Sequence, residues 1–200
     1  MLINDIEFRA NRNTPSKRRV VLKNFRLNQN PIALISQQTS FFSDLSVRKF
    51  LQTHAQVRKK DGSAVKQTID LANQLVGERI NPNSSMTALS GGQTRALLIT
   101  DAVVIGDSPL LLLDEIENAG INKLRALDVL KKYKKIFVFV THDPRIFLAS
   151  DLRIVMRNGM MQKIIRTTPQ EKRIYGKVKQ MDNYLFRLRE KVRNGETLVL

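Results

Sequence analysis

The run MTALSGGQTRALLITDAVVIGDSPLLLLDEIENAG, Met86 to Gly120, decides how the chain folds. At its centre Leu110 to Leu113 are four leucines, closed by Asp114 and preceded by the turn residues Asp107, Ser108 and Pro109. A short unbroken apolar run with such punctuation predicts a strand buried on both faces, as parallel sheets require. Ahead of it, Ser90-Gly91-Gly92 opens a helical segment that ends near Gly106 to Pro109, with Ser90 placed to cap. Behind it, a helix over 122–132 leads into KIFVFVTHD, a second buried-strand candidate. Strand, helix and strand in alternation predict a parallel sheet covered by helices.

Working outward, LRIVMRNGMMQKII reads as two short strands joined at Asn158-Gly159, a strong two-residue hairpin signal. From Thr168 to Arg193 the chain reads as a basic amphipathic helix, with Tyr175, Val178, Met181, Leu185, Leu188 and Val192 at three- and four-residue steps. Such a stripe docks on its own domain more often than on a partner helix. Toward the amino end, strands are predicted over Ile3–Phe8, Arg19–Leu22 and Pro31–Ser36, and helices over Val47–Gln56 and 65–76. KKDGS and NPNSS are the breaks between helices, and no internal repeat is present.

The composition is that of a globular chain: 200 residues, 42% hydrophobic and 26% charged, long enough for one domain with a real core. No apolar run approaches the length of a membrane span. The amino terminus lacks the long apolar core of a signal peptide, and there is no Cys, so a cytoplasmic location is the default expectation. The net charge of +16 suggests polyanionic partners: nucleotide phosphates, nucleic acid or an anionic membrane surface. Nucleic acid rests on charge alone, because no aromatic side chains are interleaved with the basic ones as stacking platforms.

Candidate chemistry gathers at the ends of the two apolar strands, where ligands bind in open parallel sheets. Asp114 is suited to hold a water in the shell of Mg²⁺, and Glu115 to polarise an attacking water. His142, after the second strand, can donate or accept a hydrogen bond beside a phosphate. The free N–H groups of Ser90, Gly91, Gly92 and Gln93 at a helix start attract an anion. Gln37, after the third amino-terminal strand, can reach a metal or a water. Each has a plainer reading: solvated acids at a strand end, a structural His, a flexible Ser-Gly-Gly turn.

In combination the features resemble the ATP-binding cassette (ABC) ATPases. LSGGQ (Leu89 to Gln93) matches the family signature, LLLLDE its Walker B motif, THD the switch-histidine segment, and Gln37 in ISQQTSFFSDLSV the glutamine loop. The resemblance implies Mg²⁺ and ATP as ligands, with Glu115 and His142 catalytic, Asp114 and Gln37 at the metal, and Gln37, Ser90, Gly91, Gly92 and Gln93 at the nucleotide. It also implies that the signature serves ATP held by a second ABC domain, in a homo- or heterodimer. ATP-driven closure would act on an attached module, most readily a membrane permease, with the chain cytoplasmic or peripheral at the inner face.

Two departures stand out. Ile121 occupies the place where the family's D-loop carries Asp, after Asn118, Ala119 and Gly120. The phosphate-binding pattern G-x-x-x-x-G-K-[ST] does not occur, and none of the 36 residues before Gln37 is Gly. The expectation is therefore an α/β, P-loop NTPase-like parallel sheet core with a small helical subdomain (about 47–105), its amino-terminal Walker A part missing. On this reading 1–167 is an incomplete ABC ATPase domain, a carboxyl-terminal portion of the nucleotide-binding domain, and 168–200 a basic helix. The alternative function is an ABC-derived regulatory protein, truncated and without turnover, that binds a partner protein or nucleic acid.

Overall fold

The computed structural model describes residues 6–10, 18–22, 32–36, 43–114 and 123–198. Three parallel strands form the central sheet: β3 (Ile32–Ile35), β4 (Leu110–Asp114) and β5 (Ile136–Val140), in the order β3-β4-β5. Upstream, β1 (Ile6–Ala10) pairs antiparallel with β2 (Arg18–Leu22), Ile6 opposite Leu22 and Ala10 opposite Arg18. The described part of the first strand ends at Ala10, two residues past the expected Phe8, and residues 3–5 of that expectation lie outside the described residues.

The four leucines take the middle of the sheet. Leu110, Leu111 and Leu113 are buried and Leu112 is half-buried, as expected of a strand enclosed on both faces. The expectation of a second buried strand fails for β5. Only Ile136, Phe137 and Phe139 are half-buried there, whereas Val138 and Val140 are exposed. The register row Leu34, Leu112, Val138 lies on one face, and both its outer members are exposed. The rows through Leu111 and Leu113 join the core on the other. An unbroken apolar run does not report whether one face or two will be covered, because burial depends on what packs from outside the strand.

The helical subdomain contains α1 (Val47–Val57), α2 (Ser63–Asn73) and α3 (Gly91–Val104). Ser46 starts α1 by accepting a hydrogen bond from the Lys49 amide at 3.2 Å. Val47, Leu51 and Ala55 then fall on one buried stripe facing Val65, Ile69 and Ala72 of α2. The second helix ends at Asn73, before the expected 76. Helix α3 is buried nearly all round, through Ala96, Leu97, Ile99, Thr100 and Val103. It stops at Gly106, whose amide donates to the Asp101 carbonyl at 2.8 Å. A Cβ at Gly106 would lie 3.2 Å from the Ala102 backbone, which explains the glycine.

Helices α4 (Lys123–Leu130) and α5 (Pro144–Ala149) follow β4 and β5 respectively. The hairpin of β6 (Leu152–Arg157) and β7 (Met160–Arg166) turns at Asn158 (φ 49°) and Gly159 (φ 71°), the paired positive φ values of a type I′ turn. The chain then enters α6 (Pro169–Arg193) through a capping box: Thr168 Oγ1 accepts from the Glu171 amide, and Glu171 Oε2 from the Thr168 amide.

Helix α6 docks on α5, as expected, but with only part of the expected stripe. Met181, Leu185 and Val192 of that stripe are exposed, whereas Tyr175, Val178 and Leu188 are half-buried. Turned inward with them are Glu171, Lys179, Asp182 and Phe186. Three of these seven are charged and engage ion pairs, so counting apolar residues alone misses part of the inward face.

Candidate functional site

The register of the central sheet sets its carboxyl edge. Ile35 lies level with Leu113 and Leu113 with Phe139, while Asp114 pairs with Val140. Asp114, half-buried, therefore ends the middle strand, and His142, exposed, stands two residues beyond the end of its neighbour. The structure brings these two sequence candidates to one edge. Gln37 and Glu115 lie outside the described residues, as do Asn118, Ala119, Gly120 and Ile121; their chain positions follow β3 and β4 directly. Among the described residues, no cluster of His, Asp and Glu forms a metal site.

The turn bearing His142 is held on both sides. The Asp143 amide donates to Thr141 Oγ1 at 2.9 Å, and the buried Asp143 carboxylate caps α5 by accepting from the Arg145 amide at 2.9 Å. Pro144 at the first helical position leaves no orphan N–H there. Arg145 folds back so that Nε donates to both Asp143 oxygens, at 2.8 and 3.0 Å, and its remaining nitrogens reach Asp143 and Asp182 of α6. The hydrogen bonds from Asp143 raise the guanidinium above its ordinary pKa; burial opposes this and Asp182 adds to it. Sequence reasoning singled out His142 and passed over Asp143 and Arg145. The signal available was Asp-Pro at the end of a strand, a helix-start pattern with an acid at the cap.

The signature residues lie at the start of α3. Ser90 Oγ accepts from the Gln93 amide at 3.3 Å while Gln93 Oε1 accepts from the Ser90 amide at 2.9 Å, so the capping role expected of Ser90 is met reciprocally. Gln93 Nε2 also reaches the Glu78 and Arg79 carbonyls, at 3.4 and 3.5 Å. Gln93 thus braces the loop after α2. Gly91 is exposed, with open space where a Cβ would stand. These contacts face the helical subdomain, and the structure does not tie the signature to the Asp114–His142 edge. Between α1 and α2 a groove of about 700 Å³ is lined by Arg48, Gln52, Gln56, Val65 and Ile69.

The family model described as ABC transporter matches residues 5–118. The ABC transporter ATP-binding protein MJ0121 of Methanocaldococcus jannaschii is 47% identical over 206 residues, covering 98% of this chain and 79% of that protein. The spermidine/putrescine import ATP-binding protein PotA of Acetivibrio thermocellus is 33% identical over 144 residues, or 68% of this chain and 40% of PotA. For PotA of Bacillus cereus the identity is 30% over 181 residues, with 84% of this chain and 54% of PotA covered. The chain therefore spans about half the length of these two relatives. Among solved structures, the ATP-binding cassette MJ0796, a dimeric post-hydrolysis state bound to ADP and Pi, superposes with a TM-score of 0.57. It is 21% identical, over 70% of this chain and 64% of that one, a likeness that concerns the fold.

These matches overturn one expectation. The family match begins at residue 5, and the M. jannaschii alignment takes in nearly the whole chain, so the chain does not correspond to a carboxyl-terminal portion alone. The α/β fold has its parallel sheet core and helical subdomain, and its amino-terminal part is present rather than missing. The expectation failed because it made one glycine-lysine pattern stand for a whole segment. The strand-forming residues before Gln37 carry the family relationship without that pattern, and they include the β1–β2 pair.

Proposed function

The chain belongs to the ABC transporter family of ATP-binding domains, and from that premise we propose that it serves as an ATPase subunit whose closure on a second ABC domain drives a membrane permease. The observation that carries this reading is the register that sets Asp114 beside Val140, with His142 two residues on. A half-buried carboxylate at the end of a central parallel strand and an imidazole one strand over suit a hard cation and a phosphate oxygen. The pattern G-x-x-x-x-G-K-[ST] does not occur in the chain, so no residue is assigned to cradle the phosphates.

When bound, Mg-ATP supplies the phosphoanhydride bond whose cleavage allows the closed pair to reopen. Asp114 would hold a water of the cation's shell, and Gln37, next but one in the chain after β3, would be the second residue for that shell. Glu115 would serve as the base for an attacking water, and His142 as a hydrogen-bonding partner for the terminal phosphate. Gly91 and Gly92 offer amides and Ser90 its hydroxyl proton to nucleotide held by the second domain, while the Ser90 amide is engaged in the capping box through which Gln93 keeps that loop in shape. The second domain is another copy or a homologous subunit. The groove between α1 and α2 supports docking of a permease segment, and relatives named for import support transport as the output. The same role places the chain at the cytoplasmic face of the membrane; no described helix is long and apolar enough to cross it.

A second reading follows from the absent phosphate-loop pattern: the chain lends its signature to nucleotide held by a partner and turns over none itself. Titration of the purified chain with Mg-ATP, alone and mixed with an intact ABC subunit, separates the two. Binding by the chain alone is expected to be weak or undetectable, with signature-dependent turnover appearing in the mixture. Micromolar binding by the chain alone would assign it a complete site of its own. No binding and no effect in the mixture would refute both.

A further inference from the structure

Helix α6 reaches the switch-histidine turn through the pairing of its Asp182 with Arg145. Arg145 is three residues past His142 and only 27% exposed at its side chain, and it holds two acids at once. One is Asp143, adjacent to His142 and 7% exposed; the other is Asp182, on about the fourth turn of α6 and 15% exposed. A planar guanidinium gripping Asp143 with Nε and a terminal nitrogen has its fork direction set. Its remaining nitrogen points where Asp182 waits. Moving Asp182 therefore turns the fork, and turning the fork moves the carboxylate that caps α5, on the residue whose amide donates to Thr141 Oγ1 and closes the histidine turn.

The rest of α6 is fastened to the helices that trail the two catalytic candidates. Tyr175 packs against Leu127 of α4 and Ile146 and Ala149 of α5. Lys179 donates to Asp128 of α4 at 2.6 Å, and Lys131, just past the end of α4, donates to the Ala149 carbonyl at 3.0 Å. The Arg145–Asp182 pair runs from α6 to a side chain that also holds Asp143, the neighbour of His142.

We infer that Arg145 is a positioning residue for His142, and that α6, through Asp182, sets the orientation of the histidine turn. This rests on the reading of His142 as a phosphate-facing side chain, whose turn it ties to a helix some forty residues further along the chain.

The full chain contains two histidines, His54 and His142, so the imidazole Cε1–H signals in a proton–carbon NMR spectrum are two and separable. Asp182→Asn is expected to shift or broaden the His142 signal and leave that of His54, which is bound to Asp101, in place. Asp182→Glu is expected to restore most of the original position. Asp128→Asn releases α6 from α4 without touching Arg145, and is expected to leave His142 near its original shift. An unchanged His142 signal in Asp182→Asn overturns the inference, and an equal shift in Asp128→Asn overturns the specific route. Should Asp182→Asn not fold, Arg145→Lys keeps the charge, loses the fork and carries the same readout. No nucleotide is needed, so the coupling stands or falls apart from His142's proposed role, which Mg-ATP addition to the proposed pair tests separately.

Discussion

At the residue scale, the sequence nominates positions wherever a motif names them, and is silent where a side chain acts on a distant neighbour. Asp114 and His142 were found by their place after apolar runs. Asp101 was not, although it is buried and accepts from His54 Nδ1 with both oxygens at 2.9 Å, across 47 residues of sequence. Arg58 Nε extends the chain of contacts, 3.3 Å from His54 Nε2. Asp101→Ala leaves the imidazole without its acceptor inside the α1–α3 contact, and a loss of about 1–3 kcal/mol is expected in urea unfolding. Asp107, at φ 50°, gives a pH signature. Burial pushes its carboxyl up, but hydrogen bonds and charge from Lys135 and Lys60 outweigh burial and hold it below the ordinary carboxylate value. Its folded pKa is thus the lower one, so its contribution is present above the unfolded value and lost as pH falls through the folded value. Asp107→Asn tolerates the same backbone conformation and should flatten that part of the acid limb in a stability-versus-pH series. For the proposed catalytic role, Glu115→Gln in a turnover-competent pair should lower hydrolysis about 10²–10⁴-fold while nucleotide binding survives. An unchanged rate would remove Glu115 from the mechanism.

At the element scale, boundaries followed local chemistry closely. Strand β4 occupies Leu110–Asp114 because proline and turn residues start it and the acid ends it, and α3 begins where Ser90 and Gln93 can cap each other. Ser90→Ala should cost about 1 kcal/mol by thermal or urea unfolding, the ordinary worth of a helix cap. The β6–β7 turn is equally local: Gly159 has φ 71° with open space around it, so a methyl group meets no neighbour and only the backbone strains. Gly159→Ala should therefore destabilise by about 1–2 kcal/mol, and Asn158→Gly hardly at all. Burial was not local in this way. Strands β4 and β5 look alike in the sequence, yet one is enclosed and the other shows Val138 and Val140 to solvent.

At the scale of the whole molecule, α6 is attached by ion pairs of unequal shelter. Lys179–Asp128 is 37% and 44% exposed at its side chains, whereas Arg145–Asp182 is 27% and 15% exposed. Raised salt should loosen the first more than the second, seen as faster amide exchange around Lys179 than around Asp182. Uniform exchange along the helix at all salt concentrations would mean that apolar contacts, Tyr175 foremost, hold it instead. What the sequence by itself determined is everything set by neighbours in the chain: the parallel α/β plan, the caps, the type I′ hairpin, the family motifs and their order. It did not disclose that the residues ahead of Gln37 belong to the family domain, because the sign looked for was a single pattern. What only the tertiary structure decided is which face of each element is covered and which charges meet. The inward face of α6, the open face of β5, the His54–Asp101 pair and the Arg145 link to His142's turn all join residues far apart in sequence. No local propensity encodes such encounters; the packing of one element on another does.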